Sequence, residues 1–128
     1  MKRLLVLIAA TSMAVSVQAQ DTNPEDLEVI LPADALKCVL PAAPDAIPEN
    51  ASLDQLKVAK AQVGGFQAKV IEFRDCLSAV EDDEDNTPGN KQAIVESYNY
   101  SVEMEERIAE RFNQAVRDYK ARKAAAEG

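Results

Sequence analysis

From Leu56 onward, apolar residues recur in alternating steps of three and four: Leu56, Ala59, Val63, Phe66, Val70, Phe73, Leu77 and Val80. This is a heptad a/d seam, and it predicts a coiled-coil-like amphipathic helix over residues 52–80. No proline interrupts the run. Ser52 is placed to cap its N-terminus, with Asn50 competing for the role. Gly64 and Gly65 sit mid-helix but off the seam, where two glycines cost about 2 kcal/mol relative to alanine. Either a neighbouring segment or a partner approaches closely there, or the pair is a tolerated weak point.

A second apolar repeat predicts a helix over residues 90–122. Val95, Val102, Ala109 and Val116 share one heptad position, and Tyr98, Glu105, Phe112 and Tyr119 lie three residues later. Ile94, Ile108 and Ala115 widen the stripe into a broader buried face. Tyr98 and Tyr119 fall on that stripe with hydroxyls that need partners. Glu105 is the one charge among apolar seam positions, so it either pairs with a base across the hairpin or marks a polar edge. Acids crowd the first half of this helix and bases its last turns, which suits the helix macrodipole. The closing segment 123–128 is expected to fray.

Two long helices joined by a short loop lie antiparallel. The loop carries five consecutive acids, Glu81, Asp82, Asp83, Glu84 and Asp85, and then Thr87-Pro88-Gly89. No register of the run fits the twelve-residue calcium loop, because proline, glycine or valine falls where ligands are required. A looser divalent-cation site on these five carboxylates is one reading; flexible acids in water, past the end of the first helix, are the other. Thr87 with Pro88 offers an N-cap followed by proline at the first helical position, and Gly89-Asn90 a second option.

Two helices bury only one stripe each, so a third element or a second subunit should complete the core. Residues 20–51 supply a candidate. They are polar, then rich in proline (Pro24, Pro32, Pro41, Pro44, Pro48), a composition that favours an extended strap over a long helix. From Asn50 up the helix to Cys76 is about 39 Å, and from Asn50 back along a polyproline strap to Cys38 is about 37 Å. A Cys38–Cys76 bridge therefore requires the strap to run nearly straight and antiparallel to the first helix, with Val39, Leu40 and Ile47 available to plug the groove. Intermolecular pairing and a free thiol pair are the rival states of the two cysteines.

Residues 1–19 read as a signal peptide: "MKR", then the apolar "LLVLIAATSMAV", then a small-residue cleavage site, "VQA". Its removal takes Lys2 and Arg3, lowering the basic count from 14 to 12 against 22 acids, a net charge of −10. Such a chain is a poor partner for nucleic acid or an anionic membrane. A periplasmic or secreted location would also favour the disulfide. Enzyme chemistry has little support: the chain has no histidine, its cysteines are expected to be paired, and no glycine-rich phosphate loop or nucleophile elbow is present. No catalytic residue and no cofactor are expected. "NAS" at Asn50 and "NYS" at Asn99 match the glycosylation pattern and are taken as chance behind a bacterial-looking leader.

The ordering of Cys38, Pro41 and Pro48, then "FRDCL" with Cys76 and Leu77, then "FNQAVRDYK" with Phe112, Asn113, Val116 and Tyr119, resembles a group of uncharacterised small secreted proteins of Gram-negative bacteria. The resemblance implies a periplasmic helical hairpin with a paired cysteine and supplies no catalytic residue. The expectation is an all-α protein: signal peptide 1–19, polar and Pro-rich strap 20–51, antiparallel two-helix hairpin 52–122 and tail 123–128. It would act as a non-catalytic protein–protein interaction or structural module, with a protein partner or a second copy. The alternative is a cation-responsive protein using residues 81–85.

Overall fold

The computed structural model describes residue 29, residue 31 and residues 34–128. The expected leader and most of the polar stretch before Asp34 lie outside the described residues. Among the described residues a 3-10 turn, Ala35–Lys37, precedes two long helices, α1 (Leu53–Glu81) and α2 (Pro88–Glu127), and there is no strand. The two helices pack against each other as a hairpin. No helix among the described residues is long and apolar enough to cross a membrane.

Helix α1 starts where its cap dictates. Ser52 accepts from the Gln55 backbone N–H at 3.2 Å, and the Gln55 side chain accepts from the Ser52 N–H at 2.8 Å. This reciprocal capping box satisfies two otherwise orphaned donors and decides between Ser52 and Asn50. Helix α2 starts in the same way: Thr87 Oγ1 accepts from the Asn90 N–H at 3.0 Å, with Pro88 at the first helical position. It therefore begins at the first of the two starts the sequence offers, two residues ahead of position 90. It also continues to Glu127 instead of fraying from 123. The "KAAAE" run combines the strongest helix former with an i,i+4 Lys123–Glu127 pair at 3.9 Å.

The expected α1 seam is the core. Leu56, Ala59, Phe66, Val70, Phe73, Leu77 and Val80 are all buried, and Val63 is partly buried. Two clusters form along it. Phe66 and Val70 pack with Ile108, while Phe73 and Leu77 pack with Ile94.

Helix α2 is rotated from the expected face by about one residue. Ile94, Ser101 and Ile108 are the buried line facing α1, while Val95 and Tyr98 are exposed and Val102, Ala109, Phe112, Val116 and Tyr119 are half-buried. Ile94 and Ile108, expected to widen the stripe, are its centre, while Ala115 is half-buried. The apolar period points to Val95 instead because the line facing α1 has a serine in the middle. Ser101 is fully buried all the same, because its hydroxyl is satisfied on both sides.

The strap lies along the hairpin. Cys38, Pro41, Pro44 and Ile47 are partly buried while most residues between them are exposed. That three-residue period is the period of a polyproline helix laid on a surface. Leu40 joins the Phe73–Leu77–Ile94 cluster, further along Asp45 accepts from Gln62 at 3.3 Å, and Ile47 shares a cleft with Ala59. Numbers rise along the strap as they fall along α1, so the two run antiparallel. Val39 is the exception among the expected plugs: it points outward and is exposed.

Candidate functional site

The Cys38–Cys76 disulfide is formed, with a Cα–Cα distance of 5.5 Å, and the described residues include no free cysteine. It joins the start of the strap to the C-terminal third of α1. Just before it, Asp34 and Lys37 pair across the 3-10 turn. Their hydrogen bond, and then the attraction of their charges, holds the Asp34 carboxyl below its ordinary value and the Lys37 ammonium above it. At the strap's other end Arg122 donates to the Ala51 carbonyl at 2.8 Å and to the Glu49 carbonyl at 3.2 Å. The end of α2 thus clasps the turn that leads into α1.

Midway along the hairpin a polar cluster crosses the seam. Arg74 Nε donates to Ser101 Oγ at 2.9 Å, and Ser101 Oγ donates to the Tyr98 carbonyl at 2.6 Å. Arg74 Nη2 lies 2.6 Å from Glu105 Oε2, with the two side chains 16 % and 25 % exposed. This contact is an ion pair whose angle falls outside directed hydrogen-bond geometry. The guanidinium carbon also stands 5.6 Å from the centre of the Tyr98 ring, a cation–π distance. Glu105 is therefore paired with a base across the hairpin. Arg74 and Ser101 were not singled out by the sequence. The signal that could have found Arg74 is an arginine one residue beyond the seam position Phe73, opposite an isolated seam glutamate.

The acidic loop is organised by its own chain. Glu81 ends α1 and Asp82 caps it. Asp83 Oδ1 accepts from the Asp85 N–H at 3.0 Å, and the Asp83 carbonyl accepts from the Asn86 N–H at 3.2 Å. Asn86 is buried, and its amide donates to the Val80 and Glu81 carbonyls, the orphaned acceptors at the end of α1. No group of three or more acid, cysteine or histidine side chains among the described residues is placed to hold a metal ion. Glu81, Asp82, Asp83, Glu84 and Asp85 are thus strung along a turn rather than brought around a point.

Gly64 and Gly65 meet nothing: a Cβ on either would find no atom within 4 Å. Close approach by the strap does not explain them.

The hairpin has a groove on each side of the line where its helices meet, and the strap occupies one. Its clefts are lined on α2 by Ala93, Ser97, Tyr100 and Arg111 and on α1 by Gln62, Gly65 and Lys69. Val95, Val102 and Ala109 each follow a residue of the line facing α1, so they stand about 100° round the helix, on the side away from the strap. Phe66 and Phe73 belong to the core, whereas Tyr98 and Tyr100 are exposed, one on each side of α2. Comparison of the chain with protein-family models, with characterised proteins and with solved structures finds no match.

Proposed function

We propose that the protein is a non-catalytic module of the periplasm or extracellular space that acts by binding another protein. The observation that carries this reading is the apolar strip on the strap-free side of α2, where Val95 and Tyr98 are exposed and Val102, Ala109 and Val116 half-buried. A hairpin needs a third element to cover each flank, and the strap supplies one. The disulfide supports an oxidising compartment, in keeping with the leader-like segment 1–19. The absence of histidine from the sequence and the pairing of both cysteines support a role outside catalysis.

The test is native mass spectrometry, without reductant, of the protein isolated from its host's cell envelope. The expected species lacks residues 1–19, is lighter by two hydrogens and carries a bound protein or a second copy. A full-length chain with free thiols would overturn the compartment. A bare monomer at its cellular concentration would overturn the binding role.

A further inference from the structure

Resting on that reading, we infer that the partner is a second copy of this chain, packed antiparallel on the strap-free groove to make a four-helix bundle. Three features converge on this occupant.

The first is the heptad itself. Val95, Val102, Ala109 and Val116, with Tyr98, Phe112 and Tyr119, form an a/d seam of the kind that mates with another helix. Helix α1 does not use it, because α1 meets the neighbouring line Ile94–Ser101–Ile108. Helix α2 therefore presents two adjacent apolar stripes, as a helix in a bundle does.

The second is charge. Residues 69–106, the loop half of the hairpin, hold eleven acids and three bases; residues 53–68 and 107–127, the open half, hold eight bases and four acids. A parallel pair would stack two acidic tips on each other. An antiparallel pair instead lays each acidic half on the other copy's more basic half. This accounts for self-association of a chain whose overall charge is strongly negative, and it fixes the direction.

The third is the one charged seam residue. Glu105 is already neutralised by Arg74 within the same chain, so covering this seam position adds no unpaired charge. The Tyr98 ring, 39 % exposed, lies beside that pair and would bring an aromatic surface to the contact.

Sedimentation equilibrium of the secreted, oxidised chain tests the assignment. Wild type is expected to be a dimer whose dissociation constant rises about tenfold or more between about 50 mM and about 500 mM salt, because the pairing is charge-directed. Val102→Glu and, separately, Val95→Glu place a charge in the groove and are expected to weaken it by at least about tenfold. Tyr100→Ser, on the strap side, leaves it unchanged. Circular dichroism and intact mass, showing helix and disulfide retained, confirm that each variant is folded; Val95 is already 42 % exposed, so its variant is the safer of the two. A monomer at every concentration up to about 200 µM overturns the inference, as does a dimer indifferent to both groove charges or strengthened by salt. The monomer result is compatible with a different protein partner, which the envelope experiment reads independently.

Discussion

Arg74 of α1 and Glu105 of α2 form an ion pair across the helical seam, 2.6 Å apart, and Arg74 is held in place by Ser101 and the Tyr98 ring. Each side chain keeps some contact with water, so the pair is intermediate between a surface bridge and a buried one. Removing one partner should therefore cost more than a surface pair but less than the 3–5 kcal/mol of a fully buried one. Arg74→Ala is expected to lose about 2–3 kcal/mol and Glu105→Gln about 1 kcal/mol. The double variant Arg74→Met, Glu105→Leu should recover to within about 1 kcal/mol of wild type. Urea denaturation at constant protein concentration measures all three. Equal losses of a few tenths from each single variant would show that the pair is only decorative.

Gly64 and Gly65 sit in a helix with open space around both Cβ positions, and neither has the positive φ that would favour glycine. Alanine at either site restricts the unfolded chain and improves helix propensity without a clash. Each substitution is expected to stabilise by about 0.5–1 kcal/mol, the pair by about twice that. Thermal melts of the single and double variants decide. A loss of stability in place of the gain would mean that something outside the chain touches this face.

Much of this fold is legible in the residues, and the misreadings have specific causes. The α1 seam could be read position by position, since each of its residues is apolar and the period is unbroken. Helix α2 was legible as a helix but not in its rotation. There the centre of the contact is a serine, and burial of Ser101 depends on a donor, Arg74, that lies 27 residues away in sequence. Single-chain periodicity cannot register a hydroxyl satisfied by another helix. The helix starts were readable from Ser52 and Thr87, because capping is local. The clasp by Arg122 on the Ala51 carbonyl was not, because it joins positions 71 residues apart. In the acidic loop the carboxylates dominate the sequence, whereas the residue that shapes the turn is Asn86.

Asn86 caps the end of α1 from inside the loop, with its amide on the Val80 and Glu81 carbonyls. Asn86→Ala is expected to cost about 1–2 kcal/mol, the net value of buried hydrogen bonds lost with acceptors left behind. The neighbouring acids are spread along the turn, so calcium should find no preformed cage. Millimolar calcium is expected to move the melting temperature no more than sodium chloride of matched ionic strength. A selective rise with calcium, lost in a variant with Asp82, Asp83 and Asp85 changed to asparagine, would establish a cation site at the tip, since a ligand for the folded state alone raises the melting temperature.

The strap is held mainly at its two ends. Cys38 ties one end to Cys76, and the Arg122 clasp on Glu49 and Ala51 holds the other. Between them a polyproline-like segment has no internal hydrogen bonds to keep its shape. Its anchors there are the partial burial of Leu40, Pro41, Pro44 and Ile47 and the Asp45–Gln62 contact. Opening the disulfide should act twice. The Cys38→Ser, Cys76→Ser double variant frees a loop of 38 residues in the unfolded chain, worth about 3–4 kcal/mol on the loop-entropy model. It also releases one end of the strap in the folded state, so Leu40 leaves the Phe73–Leu77–Ile94 cluster. Limited proteolysis should then cut within residues 39–47 before it cuts either helix. Arg122→Ala, which cuts the opposite anchor, should open residues 47–51 to cleavage and leave 39–41 resistant. If opening the disulfide instead makes α1, α2 and the strap susceptible to cleavage together, the three elements unfold as one unit and the strap is an integral part of the core.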